Sequence, residues 1–123
     1  MTAQDQLDLT TLNNLVELDD GGFGLVKEML SIFREDTPHR IQDILSAVGL
    51  KDADALARAA HALKGGAGTL GARDFRILAA DLEALGRSGS TEAGSDLRQR
   101  LEAAYQGALA ALEEFVREGE SQK

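Results

Sequence analysis

RAAHALKGGAGTLG, residues 58–71, admits two readings that lead to different folds. Its last six residues, GAGTLG, match G-x-G-x-x-G, the turn that cradles a dinucleotide pyrophosphate in a parallel α/β sheet. That turn requires a strand before it, a helix after it and an acidic residue about 20 positions on. Position 91 is instead a threonine, with Glu92 next, and the residues ahead of the motif have helical periodicity. KGGAGTLG also lacks the G-K-[ST] ending of a phosphate-binding P-loop. The stretch therefore reads as part of an amphipathic helix, and the chain as all-α.

With Leu63 at 0° and about 100° per residue, Leu56, Ala59, Ala60, Ala67 and Leu70 fall within roughly 60° of it and form a buried stripe. On the same arithmetic His61, Lys64, Gly65 and Gly68 fall at roughly 160°, 100°, 200° and 140°. His61 thus faces away from the core, which opposes a satisfied core histidine but leaves a plain surface histidine open. Each interior glycine costs about 1 kcal/mol relative to alanine, so two of them flanking an exposed histidine imply a gain from the missing side chains. That gain is close approach: a bare patch lets another protein's backbone and a phosphoryl group reach the imidazole. Gly66, nearer the core edge, is expected to permit tight helix packing, and Gly71 to end the helix in a left-handed conformation.

Lys64 shares the flank of His61 at i+3 and can set an ammonium beside a group on the ring. A ring nitrogen is a competent nucleophile, and a lysine offsets the charge on transferring phosphoryl oxygens. The alternative for Lys64 is a solvated surface lysine. Arg58, at i−3, adds a second positive charge. His39 is remote in sequence, no H-E-x-x-H pair supports a metal site, and no Ser-His-Asp spacing is diagnostic.

The rest of the 123 residues agrees with a helical reading. Apolar residues make up 43%, charged residues 28% and aromatic residues 4%, with abundant Ala and Leu, which favours helix over sheet. The length suits one domain, 1–123, with a core at about 8–117 and a polar C-terminal tail. A formal charge of −8 argues against nucleic acid or an anionic membrane as partner. Without cysteine there are no disulfides or thiolate metal sites. The polar, acidic MTAQDQLDLTTL start and the lack of a long apolar run lead us to expect a cytoplasmic protein.

Punctuation divides the chain into five helical segments. A short first helix is expected at about 10–18, followed by an Asp19–Asp20–Gly21–Gly22 turn. The second helix runs to Gly49 with Phe23, Val26, Leu30, Phe33, Ile41, Ile44 and Val48 on one stripe, kinked near Asp36 by Pro38 but resuming in phase. Asp52 caps a third helix reaching about Leu70. A fourth covers about 72–85, with Phe75, Leu78, Leu82 and Leu85 on one seam, and is ended by residues 86–90. Thr91 is expected to cap the fifth, striped by Leu97, Leu101, Ala104, Ala108, Leu112 and Phe115, before EGESQK frays into solvent. Four long amphipathic helices with short loops make an antiparallel four-helix bundle, the short N-terminal helix serving as a lid.

RAAHALKGGAGTLG resembles the signature of histidine-containing phosphotransfer (HPt) domains, roughly A-H-x-L-K-G-x-x-x-x-x-G, and is similar to the phosphorylated domain of chemotaxis histidine kinases. The likeness extends over roughly residues 8–117. It implies an antiparallel four-helix bundle with an exposed histidine midway along one helix. By this resemblance His61 accepts a phosphoryl group from a receiver-domain aspartate and passes it to another, with Nε2 the ring nitrogen the family implies. Lys64 steadies the oxygens, and Gly65 and Gly68 keep the approach clear. Partners are then response-regulator receiver domains and a hybrid sensor histidine kinase. Mg²⁺ and the acidic pocket come from the receiver, so no metal or cofactor is assigned here. Where the family often has a glutamine, this chain has Glu83, which can accept a ring N–H but repels phosphate.

Docking a receiver also needs apolar surface. Relative to Leu30, Leu25, Met29 and Ile32 lie roughly 100–160° off the main stripe and form a second patch. Either Leu12, Leu15 and Leu18 of the first helix cover it, or a receiver docks on its open edge. The expected function is a monomeric phosphoryl carrier with no ATP site. The alternatives are the phosphorylated domain of a chemotaxis-type kinase and a non-catalytic helical adaptor.

Overall fold

A computed structural model describes residues 3–122. After a 3₁₀ turn at Ala3–Gln6 come five α-helices: α1 (Leu9–Leu18), α2 (Gly24–Gly49), α3 (Ala53–Thr69), α4 (Arg73–Arg87) and α5 (Leu97–Ser121). No strand occurs among the described residues. In the bundle α3 packs on α2 and α4, and α5 closes the ring by packing on both of them.

The capping chemistry is local. Asp8 accepts the Thr11 N–H at 3.2 Å and Asp52 accepts that of Ala55 at 3.0 Å, each satisfying a donor left open by its helix start. In the turn before α2 the Asp19 carboxylate accepts the Leu25 N–H at 3.0 Å, with Asp20 and Gly21 at φ 52° and 85°. Gly71, at φ 73°, ends α3 as expected.

Pro38 sits inside an unbroken α2. Its ring removes the N–H that the Arg34 carbonyl, four residues earlier, would have accepted. The Tyr105 hydroxyl of α5 donates to that carbonyl instead, at 3.1 Å. Tyr105 also joins Phe33 of α2 and Phe75 of α4 in a cluster with ring centroids 5.7–6.2 Å apart, so three helices meet around three aromatics.

Three boundary expectations are corrected. Gly86 does not end α4 but lies buried in its last turn, where a Cβ would fall 2.6 Å from the Ala57 nitrogen and 2.7 Å from the Ala53 carbonyl. It is the glycine that lets α4 touch the α3 backbone. Thr91 caps nothing: Gly94 adopts φ 93°, which no helix running through it can hold, and α5 starts after Asp96. EGESQK does not fray through most of its length, because α5 continues to Ser121. Its end is held by Lys27 to Glu120 at 3.0 Å and by Gln4 to Glu118 at 2.9 Å; Lys123 lies outside the described residues.

The lid is fixed at its N-terminal end. Asp8 donates its N–H to the Gly71 carbonyl at 2.8 Å, and Leu12 is fully buried. Leu18 is 77% exposed, which counts against the alternative in which it helps to cover the α2 patch.

Candidate functional site

Helix α3 presents its two faces as the wheel requires. Leu56, Ala60, Leu63, Ala67 and Leu70 are buried, while the His61 side chain is 64% exposed. Close packing at Gly86 draws α4 against this helix, and α4 in turn delivers Glu83 to the histidine. Glu83 is 3% exposed.

Three donors converge on its carboxylate. His61 Nδ1 lies 2.7 Å from Oε2, Lys64 Nζ 2.5 Å from Oε1, and the Arg87 guanidinium 2.7 Å from Oε2. The hydrogen bond from Lys64 holds the Glu83 carboxyl below its ordinary range against the opposing effect of burial, with further lowering from His61 and the Arg87 charge. An ionised carboxylate only accepts, so the Nδ1 facing it carries the ring proton. Nε2 is thereby left with its lone pair, which is the state a nucleophile needs.

A shallow cleft beside the ring is lined by Ala57, Arg58, His61 and Arg87. Arg58 is exposed and has no ion-pair partner among the described residues. Arg87 is absent from the sequence-derived candidates because residues 86–90 read as a loop. Its signal was the i,i+4 spacing from Glu83, which becomes meaningful only once α4 extends to Arg87.

The glycines divide differently from expectation. A Cβ on Gly65 would meet nothing, as the bare-face reading requires. The same is true of Gly66, so its expected role in packing is overturned: it is exposed, and a Cβ there would meet open space. Gly68 is not bare, since a Cβ there would fall 3.0 Å from Cδ of Arg76, whose chain lies across it.

Gly65 and Gly66 instead form one wall of a groove between α2 and α3, about 320 Å³ in volume. Met29 and Ile32 line the opposite wall, with Asp36 and Arg40 further along. Leu25 is half-buried and lies outside this groove. Ile32 is 54% exposed, whereas Met29 packs partly against the core.

A model of the Hpt domain matches residues 28–120. The chain belongs to the Hpt domain family. It is a histidine phosphotransfer protein of two-component phosphorelays, and domains of this family are phosphoryl carriers rather than kinases. Among solved structures it is similar to histidine-containing phosphotransfer protein B (HptB) from Pseudomonas aeruginosa PAO1, at 24% identity and a TM-score of 0.78 over 92% of this chain and 96% of that one. It is also similar to the histidine-containing phosphotransfer domain of ArcB from Escherichia coli, at 20% identity and a TM-score of 0.63 over 94% and 97%. At these identities the likeness shows the fold. A comparison with curated proteins finds no match. Among the described residues no helix of this Hpt chain is long and apolar enough to cross a membrane.

Proposed function

We propose that His61 is the residue of this Hpt chain that carries the phosphoryl group, at Nε2. The observation that carries the reading is the 2.7 Å contact between Nδ1 and the buried Glu83 carboxylate, on an otherwise exposed ring. The Nε2 lone pair attacks the phosphorus of a receiver's aspartyl phosphate, the N–P bond forms, and the P–O bond breaks with its electron pair returning to the aspartate carboxylate. The Nδ1 proton stays on the ring, which gains positive charge, and Glu83 stabilises that charge. Run in reverse, the same steps hand the group to a second receiver.

Lys64 supports the transfer because its ammonium has three donors on a flexible stem, enough to serve Glu83 and a phosphoryl oxygen. Gly65 keeps the approach to the ring clear, and Gly68 does so by letting Arg76 lie flat. Arg58 offers a free positive charge to an acidic receiver. Ile32 and Met29 form the apolar part of the docking face, with Leu25 at its margin. The upstream donor is the receiver of a hybrid sensor histidine kinase, the setting is the cytoplasm, and a monomer folded as one unit suffices. Neither an ATP site nor a kinase domain is part of this reading.

Incubating the protein with a phosphorylated receiver domain and mapping the label tests the assignment. The expected result is acid-labile, base-stable phosphate on His61, absent in His61→Gln with helicity unchanged. Labelling that persists in His61→Gln would reject it, and a wild type that takes no label would favour the helical adaptor.

A further inference from the structure

The charge arithmetic at Glu83 leaves one residue unaccounted for by the transfer reading. A glutamine at position 83 could accept the Nδ1–H and would need no counter-ion. A buried glutamate needs one, because an uncompensated carboxylate 3% exposed is strongly disfavoured. In the resting protein two cations supply it, Lys64 on Oε1 and Arg87 on Oε2. A phosphoryl group on Nε2 brings about −1.5 to −2 of charge close by and draws the Lys64 ammonium towards its oxygens. Glu83 then depends on its other cation.

We infer that Arg87 is a positioning residue for phosphotransfer: it holds Glu83 ionised while Lys64 is engaged by the phosphoryl group, and so keeps the His61 proton on Nδ1 as Nε2 bonds to phosphorus. Its place suits the task. It lies one turn beyond Glu83 on α4, its guanidinium is 66% exposed and so able to stay hydrated, and it lines the cleft beside His61. The charged groups facing Glu83 are His61 and Lys64 from α3 and Arg87 from α4, with Arg58 across the cleft. Arg58 bonds no carboxylate among the described residues, so it is not a substitute. The inference rests on His61 being the phosphorylated residue.

The test measures transfer rate against pH for wild type, Arg87→Gln, Glu83→Gln and the double variant, with His61→Gln in parallel. Arg87→Gln is expected to slow transfer by roughly tenfold, or ~1.4 kcal/mol. It should also move the acid limb of the pH profile upward, since a less compensated Glu83 takes up its proton at higher pH. In the Glu83→Gln background the same substitution should have no effect on rate, because no charge remains to balance. Ring ¹⁵N shifts of the phosphorylated protein should show Nδ1 protonated in wild type and partly deprotonated in Arg87→Gln, a readout independent of the transfer rate. Label on His61 with an unchanged rate and acid limb in Arg87→Gln would overturn the inference and leave the site assignment standing. An equal slowing in the Glu83→Gln background would overturn it as well, by showing that Arg87 acts on something other than Glu83. Label persisting in His61→Gln would remove both.

Discussion

Nδ1 of His61 lies 2.7 Å from Oε2 of Glu83, a contact that ties α3 to α4 across 22 residues of sequence. It decides which ring nitrogen is free, and it couples the chemistry of an exposed side chain to a buried charge. Its strength depends on Glu83 remaining ionised, which the Lys64 and Arg87 charges secure.

The pH dependence of stability follows from that coupling. The Glu83 carboxyl is held below its ordinary value of 4.5, first by the Lys64 hydrogen bond. A depressed folded-state value means that the stabilisation is complete above 4.5 and is lost as pH falls through the lower folded-state value. Glu83→Gln removes this titration. Thermal melts from neutral pH down to about pH 3 should therefore show the Tm gap between wild type and variant narrowing on the acid side. A gap that widens there would contradict the assignment.

Glycines of the same helix pair should respond with opposite signs. Gly86→Ala places a Cβ 2.6 Å from the Ala57 backbone, with no flexible side chain to yield, and should destabilise by about 3 kcal/mol. Gly66→Ala enters open space and should stabilise by about 1 kcal/mol. Gly65→Ala should do likewise while slowing transfer, which separates access from stability. Denaturant melts and transfer assays on the three variants check this.

Tyr105→Phe leaves the Arg34 carbonyl without the hydroxyl donor that replaces the N–H missing at Pro38. The expected cost is about 1 kcal/mol. In a Pro38→Ala background the helix supplies its own N–H, so the cost should shrink. A double-mutant cycle by urea denaturation measures the coupling, and strictly additive effects would refute it.

Lys64→Ala should slow transfer on the order of ten- to a hundredfold, as loss of one charge-stabilising donor does. Helicity should hold, because Arg87 still balances Glu83. Circular dichroism beside rapid-quench transfer kinetics distinguishes this from unfolding.

Ile32 and Leu18 are both exposed apolar residues, at 54% and 77%, but only Ile32 lines the groove beside Gly65 and Gly66. Ile32→Glu should weaken receiver binding roughly tenfold, a loss of ~1.4 kcal/mol. Leu18→Glu should leave it unchanged. Titration calorimetry with a receiver domain compares them, and equal losses would move the docking face elsewhere.

Helical periodicity made the bundle legible, and the α3 wheel correctly sent His61 outward and Leu63 inward. Capping residues with a local mechanism, Asp52 and Gly71, were equally readable, since their partners lie within a few positions. Thr91 and Gly86 were misread because the same residue types serve loops and helices alike. What separates the roles is a neighbour from another helix or a backbone angle further along the chain.

By itself the sequence determined the helical class, the exposed histidine and the bare glycine beside it, because each follows from the roughly 100° step between residues of one helix. Only the tertiary structure decided that Glu83 is buried, that Lys64 and Arg87 share its carboxylate, and that the proton therefore sits on Nδ1. Those facts depend on how close α4 comes to α3. That distance is set by the missing side chain of Gly86 against the Ala57 backbone, a contact between helices that no single-helix pattern contains.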